Sequence, residues 1–191
     1  MDYIITALIS YLFGSIPFGY IFTKIFLKKD IRDVGSGNIG ATNVLRTGNK
    51  RLGYLTLILD IIKAVIPVIY IKLYYPDLIF ISALCAFLGH LFPVWLKFDG
   101  GKGIATYVGI LISIDIYFAL IFGIIWILTF IISKYSSLSS LIASISIPIY
   151  ILILGKGNFI FFSIMFVLIF YTHRENIKRL INKEETKSKI Y

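Results

Sequence analysis

A glycine-rich segment, Gly35–Arg46, carries the first group of side chains suited to binding a charged ligand. It reads GSGNIGATNVLR, with three glycines set among hydroxyl and amide side chains before a final arginine. Exposed backbone N–H groups can hold a phosphate, hydroxyl and amide groups add directed hydrogen bonds, and arginine adds a bidentate contact. This pattern predicts phosphate binding, with a glycine-rich turn between helices as the alternative. The candidate residues are Ser36, Gly37, Asn38, Gly40, Thr42, Asn43 and Arg46.

A second segment, Gly89–Thr106, reads GHLFPVWLKFDGGKGIAT. It places Lys102 between glycines that allow close approach to a ligand, just before a predicted helix whose N-terminal dipole favours anions. The spacing differs from the Walker loop G-x-x-x-x-G-K-[ST]. Gly101, Lys102 and Gly103 are therefore candidates, and a lysine that snorkels at the end of a span is the alternative. For His90, in an apolar stretch, a structural hydrogen bond is favoured over a role as base.

Two further polar clusters lie in the C-terminal half. The serine-rich segment 134–140 offers Ser137 and Ser140 as ligands, although a serine there can simply cap the next helix. The segment HRENIKR at 173–179 offers His173, Arg174 and Asn176. A basic stop at the end of a membrane span explains the cationic residues but does not require the histidine and asparagine, so both interpretations stay open.

The remaining polar pair lies within an apolar run. Asp60 and Lys63 are three residues apart, so they share one helical face and can pair, either to support the bundle or to take part in catalysis. The chain contains no G-x-S-x-G motif and no His/Cys/carboxylate cluster with metal-ligand spacing. We therefore expect a phosphate-binding site with few candidate general bases, no metal and no cofactor.

The composition excludes a water-soluble enzyme. Of 191 residues, 58% are hydrophobic and 15% are charged, and a bilayer-spanning helix needs about 20 apolar residues. The first run has only Asp2 before it, without a basic n-region, so it is interpreted as a retained helix rather than a signal peptide. We predict an all-α integral membrane protein, one domain over residues 1–191, with apolar runs at about 4–23, 54–71, 78–96, 104–114, 116–133, 138–154 and 159–171.

The distribution of Lys and Arg chooses between six and seven spans. A helix over 104–133 would be about 45 Å long against a hydrocarbon core of about 30 Å, so a break at Asp115 is expected. With seven transmembrane helices, N-terminus outside and C-terminus cytoplasmic, 16 cations lie inside and two outside; six spans give 10 against eight. The inside cations are Lys24, Lys28, Lys29, Arg32, Arg46, Lys50, Arg51, Lys97, Lys102, Lys134, Arg174, Lys178, Arg179, Lys183, Lys187 and Lys189.

Together these motifs closely resemble the acyl-phosphate-dependent glycerol-3-phosphate acyltransferases of bacterial phospholipid synthesis, the PlsY family. The resemblance covers essentially the whole chain and is most specific at GSGNIGATNVLR, GHLFPVWLKFDGGKGIAT and HRENIKRL. It implies a seven-span enzyme of the bacterial cytoplasmic (inner) membrane with a cytoplasmic active site. It also implies transfer of an acyl group from acyl phosphate to the 1-hydroxyl of sn-glycerol 3-phosphate, giving lysophosphatidic acid and phosphate.

The resemblance also assigns roles to the candidate residues. It implies that Ser36, Arg46, Lys102, His173 and Asn176 bind and orient glycerol phosphate, and that Asn38, Gly40, Thr42, Asn43, Ser137 and Ser140 surround the acyl-phosphate end. The expected partners are the two substrates and the lipid bilayer, with no nucleic acid. A transporter of phosphorylated metabolites is the competing class, but it usually has inverted repeats and a midplane site; no repeat is evident, and no midplane cluster beyond Asp60 and Lys63.

Overall fold

The protein is all-helical over the part of the chain that the structure describes. A computed structural model describes residues 2–187, so the predicted inside residue Lys189 lies outside the described residues. The helices in this range are α1 Tyr3–Gly14, α2 Phe18–Phe26, α3 Ala41–Arg46, α4 Lys50–Tyr74, α5 Ile79–Leu91, α6 Ile104–Ile114, α7 Ile116–Ser133, α8 Ser136–Leu154, α9 Phe159–Thr172 and α10 Arg174–Ile181. Short 3₁₀ turns cover Ile31–Asp33, Pro76–Leu78 and Val94–Leu96.

Several helical segments are long and apolar enough to cross a bilayer. Within the described residues there are five: Tyr3–Phe26, Lys50–Tyr74, Pro76–Leu96, Ile116–Ser133 and Ser136–Leu154. The pair α9 and α10, bent by 62°, makes a sixth if it is one span. The apolar helix α6 has 11 residues, a length of about 16 Å against a core of about 30 Å. The multi-span helical class is therefore confirmed, while seven spans stay a prediction.

The helix breaks agree with the sequence at one place and differ at another. Asp115 interrupts the long apolar run as predicted: its backbone is extended, and its Oδ1 accepts a hydrogen bond of 2.9 Å from Tyr117 N, which caps α7. The first run, predicted as continuous, is broken between Gly14 and Phe18. Pro17 explains this break, because proline lacks an N–H and disfavours helical backbone at the residue before it.

The described part of the chain divides between Ile114 and Asp115 into two compact units. In the first unit, α4 packs against α1, α5 and α6, and α1 packs against α5. These helices approach so closely that a Cβ at Gly14 would overlap the backbone of Ala86, and one at Gly109 would overlap the Ile61 carbonyl. Small residues at helix contacts are typical of membrane bundles, in which packing rather than the hydrophobic effect holds helices together.

In the second unit, α8 packs against α7 and α9. Phe118 of α7 meets Phe162 of α9 edge-on, with ring centroids 5.1 Å apart. Of the 18 residues of α7, only Phe118 and Phe122 are buried within the protein. The rest of α7 therefore leaves a largely apolar surface for contact with lipid.

Candidate active site

The two polar loops of the first unit share one apolar cluster. The side chains of Ile31, Ile39, Val44, Leu52 and Leu96 are at most 8% exposed. Leu96 belongs to the segment Gly89–Thr106, which we call the second polar loop. Ile39 and Val44 belong to Gly35–Arg46, the first polar loop. Ile31 lies just before that loop, and Leu52 lies just after it at the start of α4. The cluster therefore holds both predicted phosphate-binding loops at the same end of the first unit.

Asn43 holds the first loop together from the inside. Its side chain is 2% exposed, and its Nδ2 donates to the carbonyl oxygens of Ile31 at 3.1 Å, Val34 at 2.8 Å and Asn38 at 2.8 Å. Its Oδ1 accepts a hydrogen bond of 3.0 Å from Ser36 N. The amide of Asn43 thus fixes the shape of the loop and the position of the Ser36 backbone.

Several backbone N–H groups of this loop are already used within it. Gly40 N donates to Asn38 Oδ1 at 2.8 Å, and Gly37 N donates to Val34 O at 3.0 Å. Together with the Ser36 N–H, these groups donate within the loop in this structure, whereas the sequence pattern predicts that they face a phosphate. Ligand recognition in this loop therefore falls mainly to side chains, among which those of Ser36 and Thr42 are exposed.

Gly35 places the Arg46 side chain beside the start of this loop. Gly35 has a φ of +57°, which favours glycine, and a Cβ there would lie 3.2 Å from Arg46 Cδ and against Asn43 Oδ1. Arg46, the last residue of α3, is half-buried. The structure thus brings Arg46 close to the residue that precedes Ser36, as their shared assignment to one ligand requires.

A charged pair lies just before the same loop. Arg32 Nη2 lies 2.7 Å from Asp30 Oδ2, and Arg32 Nε donates to Asp30 Oδ1 at 3.0 Å. The hydrogen bond from Arg32 lowers the pKa of the Asp30 carboxyl to about 2. The pair therefore stays ionised at neutral pH and closes the turn Ile31–Asp33.

The glycines around Lys102 pack against α5. A Cβ at Gly100 would overlap the carbonyl oxygens of His90 and Leu91, one at Gly101 would overlap the His90 ring, and one at Gly103 would overlap the Phe87 ring. Gly101 N also donates a hydrogen bond of 3.0 Å to His90 O. These glycines are thus required for close packing on the last turns of α5, and they carry the half-buried Lys102 between them.

Asp60, Lys63 and His90 form a buried polar cluster, each at most 3% exposed. Lys63 Nζ lies 2.8 Å from Asp60 Oδ1, which confirms the pairing predicted from their spacing. The same ammonium reaches Ile16 O at 2.7 Å and His90 Nδ1 at 2.9 Å. Lys63 therefore links α4 to the break after α1 and to α5, two contacts that the spacing did not predict.

In the second unit, His173 lies at the bend between α9 and α10 and is 3% exposed. Its Nδ1 lies 2.8 Å from the carbonyl oxygen of Ile169. Because a carbonyl oxygen only accepts, Nδ1 carries the proton, and in the neutral imidazole Nε2 is the accepting nitrogen. The bend thus fixes both the position and the tautomer of the predicted substrate residue.

Glu185 connects two other predicted residues of this unit. Its Oε1 accepts from Ser137 Oγ at 2.8 Å and from Asn176 Nδ2 at 2.7 Å, while Oε2 accepts from Arg179 Nε at 2.7 Å. Burial raises the pKa of Glu185, but these hydrogen bonds outweigh it and leave the pKa below its usual value. The sequence analysis did not predict a role for Glu185. Its position as an acidic residue within the basic C-terminal segment was the feature that could have indicated one.

Two further candidate residues of the second unit, Ser140 and Arg174, make contacts that do not involve Glu185. Ser140 is buried, donates to Ser136 O at 2.9 Å and accepts from Trp126 Nε1 at 3.1 Å. Arg174 is exposed, and its guanidinium lies 4.6 Å from the centre of the Tyr171 ring. The structure therefore brings Ser137 and Asn176 together through Glu185, and places Arg174 on the surface.

Comparison with known proteins identifies the class. The profile of a family described as glycerol-3-phosphate acyltransferase matches residues 4–183. A glycerol-3-phosphate acyltransferase of Pelagibacter ubique (strain HTCC1062) is 71% identical over 191 residues, covering 100% of both chains. One from Rhodopseudomonas palustris (strain HaA2) is 50% identical over 190 residues, covering 98% of this chain and 95% of that protein.

Solved structures share the fold. The crystal structure of PlsY (YgiH), an integral membrane glycerol 3-phosphate acyltransferase, in its glycerol 3-phosphate form matches with a TM-score of 0.91 and 36% identity, over 97% of this chain and 94% of that one. Its lysophosphatidic acid form matches with a TM-score of 0.89 and 34% identity over the same shares.

These matches define an all-helical integral membrane acyltransferase. The chain belongs to the glycerol-3-phosphate acyltransferase family. The finding confirms the resemblance drawn from the three motifs and favours an enzyme over the transporter that the sequence left as an alternative. It also links the chain to phospholipid synthesis, in which this family acts.

Proposed function

We propose that the chain transfers an acyl group from acyl phosphate to the 1-hydroxyl of sn-glycerol 3-phosphate. The hydroxyl oxygen attacks the acyl carbonyl carbon, and the bond from that carbon to the phosphate oxygen breaks. The products are 1-acyl-sn-glycerol 3-phosphate, which is lysophosphatidic acid, and inorganic phosphate. The hydroxyl proton leaves with the phosphate, so the reaction balances without another reactant.

The observation that carries this proposal is the pair of ligand forms of the structural relative. PlsY, which matches 97% of this chain, has been crystallised in a glycerol 3-phosphate form and in a lysophosphatidic acid form. These two compounds differ by one acyl group on one hydroxyl, so they are the acceptor and the product of a single acyl transfer. Acyl phosphate as donor rests on the resemblance of the three motifs.

We assign glycerol-phosphate binding and orientation to Ser36, Arg46, Lys102, His173 and Asn176. The exposed Ser36 hydroxyl, the adjacent Arg46 and the glycine-held Lys102 supply directed donors and positive charge for a phosphate. Residues proposed for the acyl-phosphate end are Asn38, Gly40, Thr42, Asn43, Ser137 and Ser140, with Gly37, Gly101, Gly103 and Arg174 as further substrate contacts. The buried Asn43 and Ser137 serve this end chiefly by holding their neighbours.

Catalysis in this proposal depends on alignment and charge rather than on a strong protein base. Acyl phosphate already carries a good leaving group, so holding the hydroxyl near the carbonyl and stabilising the developing negative charge lower the barrier. The departing phosphate accepts the proton. His173, with Nε2 as its accepting nitrogen, orients glycerol phosphate by a hydrogen bond from the hydroxyl that is not acylated, so the proton of the attacking hydroxyl is left for the phosphate.

We place the chain in the bacterial inner membrane with seven spans, of which α6 is the shortest. The N-terminus lies outside, and the C-terminus and active site face the cytoplasm. This topology is supported by the 16 cations that it places inside against two outside, because cytoplasmic loops are enriched in Lys and Arg. The named relatives are bacterial proteins, which supports the choice of membrane.

The test is an assay of the purified protein in detergent with radiolabelled glycerol 3-phosphate and one of three donors: acyl phosphate, acyl-coenzyme A or acylated acyl carrier protein. We expect labelled lysophosphatidic acid and an equal amount of phosphate with acyl phosphate alone. An Arg46→Ala variant, purified in the same way, controls for contaminating activity. Turnover only with a thioester donor would contradict the proposed donor, and no product with any donor would contradict the reaction.

A further inference from the structure

The buried ammonium of Lys63 contacts three different segments through one ion pair and two hydrogen bonds. Its partners are Asp60 Oδ1 on its own helix at 2.8 Å, Ile16 O at the break after α1 at 2.7 Å, and His90 Nδ1 on α5 at 2.9 Å. A lysine ammonium carries donors and no acceptor, so both hydrogen bonds run from Lys63. The geometry sets the His90 ring in one orientation, because Lys63 can only donate to Nδ1.

That orientation determines what the other edge of the His90 ring contacts. With Nδ1 accepting from Lys63, the proton of the neutral imidazole lies on Nε2. This edge packs on Gly101, since a Cβ there would overlap Nε2, Cε1 and Cδ2 of the ring. The backbone of the same residue accepts from Gly101 N at 3.0 Å. His90 therefore holds Gly101 by its carbonyl oxygen and by its ring.

The neighbouring glycines leave the loop little freedom. Gly100 abuts the carbonyl oxygens of His90 and Leu91, and Gly103 abuts the Phe87 ring. Lys102 thus lies between two residues whose positions are set by α5. Any rotation of the His90 ring would push on Gly101 and displace the backbone that carries Lys102.

We propose that Asp60, Lys63 and His90 act together as positioning residues that fix the Gly100–Gly103 loop, so that Lys102 is held ready to bind substrate phosphate. The inference rests on the proposed function, because it gives Lys102 a phosphate to bind. Asp60 orients and neutralises Lys63, Lys63 orients His90, and His90 presses on the loop. None of the three contacts substrate in this scheme.

A stabilising ion pair alone does not account for this arrangement. Asp60 and Lys63 lie on the same helix, three residues apart, so their pairing by itself joins no two helices. Buried ion pairs are often no more stabilising than apolar residues of similar size, and their best supported use is to fix one arrangement among several. Here the arrangement fixed is the contact between α5 and the loop.

The first test is a double-mutant cycle between positions 90 and 101, read by KM for glycerol 3-phosphate and by hydrogen–deuterium exchange of residues 97–103. Gly101→Ala adds a methyl group where the ring lies, so we expect KM to rise about tenfold or more and exchange in the loop to become faster. His90→Asn keeps an acceptor near the Nδ1 position for Lys63 but removes the Nε2 edge. In that background the added methyl group fits, and Gly101→Ala should change neither quantity further.

Gly123→Ala is the matched control, because a Cβ at Gly123 meets no atom within 4 Å. It should leave KM and loop exchange unchanged. Equal effects of Gly101→Ala with and without His90→Asn would overturn the proposal, as would wild-type exchange in Gly101→Ala. If the wild-type protein does not use acyl phosphate and glycerol 3-phosphate, the proposed function fails, while the exchange cycle still tests the link between His90 and the loop.

The second test removes both charges at once with Asp60→Leu/Lys63→Met, which leaves no unpaired buried charge. A positioning role predicts a folded protein with faster exchange at residues 97–103 and KM for glycerol 3-phosphate raised about tenfold. A purely structural pair predicts wild-type KM and wild-type loop exchange, whatever the change in thermal midpoint. That second pattern would overturn the inference.

Discussion

Glu185 Oε1 accepts a hydrogen bond of 2.7 Å from Asn176 Nδ2, so a residue assigned to substrate is held by a carboxylate outside the recognised motifs. The same oxygen accepts from Ser137, and the other carboxylate oxygen accepts from Arg179. One side chain, 8% exposed, thus connects the start of α8 with α10. Loss of Glu185 is expected to affect both a predicted substrate residue and the packing of the second unit.

We predict that Glu185→Ala lowers the free energy of unfolding by about 1–3 kcal/mol, the range for losing hydrogen bonds to a charged group. Thermal unfolding in detergent, followed by circular dichroism, measures this change. Glu184→Ala is the control, because Glu184 is exposed and its removal should leave the thermal midpoint unchanged. An equal midpoint for both variants would contradict a structural role of Glu185.

The lowered pKa of Glu185 predicts a pH dependence with a definite sign. Since its pKa is lower in the folded state than the usual 4.5, the unfolded chain binds the proton more readily. The contribution of the ionised Glu185 to the free energy of unfolding is therefore complete above about pH 4.5, and it is lost as the pH falls through the folded-state pKa. The thermal midpoint of Glu185→Ala should fall less on acidification than that of the wild type.

Several features of the fold could be predicted from local spacing. The pairing of Asp60 with Lys63 follows from three residues of separation on a helix, and the break at Asp115 follows from the limit that bilayer thickness sets on helix length. The break at Pro17 was missed because the apolar run continues on both sides of it. The local sequence pattern predicts contacts between residues that are close in sequence, but not contacts between residues that are distant in sequence.

The contacts that define the candidate site join residues that are far apart in sequence. Lys63 meets His90 27 residues further along, and Ser137 meets Glu185 48 residues further along. The glycines around Lys102 were interpreted as space for a ligand, yet they face α5. A glycine signals that something approaches closely, but only packing decides whether that neighbour is a ligand or a helix.

A matched pair of Asn→Asp variants tests the role of Asn43. Asn43 uses its Nδ2 donors toward three carbonyl oxygens, so Asn43→Asp removes those donors and places a carboxylate against the carbonyls. We expect acyl transfer to fall about tenfold or more, with faster hydrogen exchange over residues 31–43.

Asn49 provides the control for that change. Its Oδ1 only accepts, from Leu52 N at 3.1 Å at the start of α4, and a carboxylate oxygen accepts equally well. Asn49→Asp should therefore keep wild-type activity and exchange. If Asn43→Asp behaved in the same way, Asn43 would not be what shapes the loop.

Lys102→Ala distinguishes phosphate binding from snorkelling. If Lys102 binds substrate phosphate, its removal should cost about 2–4 kcal/mol of transition-state stabilisation, measured as the loss in kcat/KM. The thermal midpoint should change little, because the surrounding glycines make the packing contacts. Lys24→Ala, at an exposed lysine of α2, should keep full kcat/KM. Normal turnover of a folded Lys102→Ala enzyme would support snorkelling.

Cysteine labelling in intact cells tests the seven-span topology. With Cys85 replaced by Ala, single cysteines at the exposed positions Lys50, Lys156 and Lys187 replace no helix cap. We expect a membrane-impermeant maleimide to label position 156 from outside, and positions 50 and 187 only after the membrane is opened. Labelling of positions 50 and 187 from opposite sides would require an odd number of spans between them and would contradict the six that the seven-span topology places there.

His173→Asn tests whether a protein base is required. The asparagine amide can replace Nδ1–H as donor to Ile169 O, which the histidine contacts at 2.8 Å, but it places no acceptor at the Nε2 position. The variant thus preserves the bend while removing the ring nitrogen of His173 that could accept the substrate proton. If His173 orients glycerol phosphate and the leaving phosphate takes the proton, the main effect should be a higher KM for glycerol 3-phosphate.

An obligatory base would behave differently, because general-base catalysis contributes about 10²–10⁴ in rate. The measurement is kcat as a function of pH for the wild type and His173→Asn, with both substrates saturating. The proposed mechanism predicts that kcat of the variant stays within about tenfold of the wild type, with a profile of the same shape. A wild-type acid limb that disappears in the variant, together with a loss of about a thousandfold in kcat, would instead make His173 the proton acceptor and refute transfer to the departing phosphate.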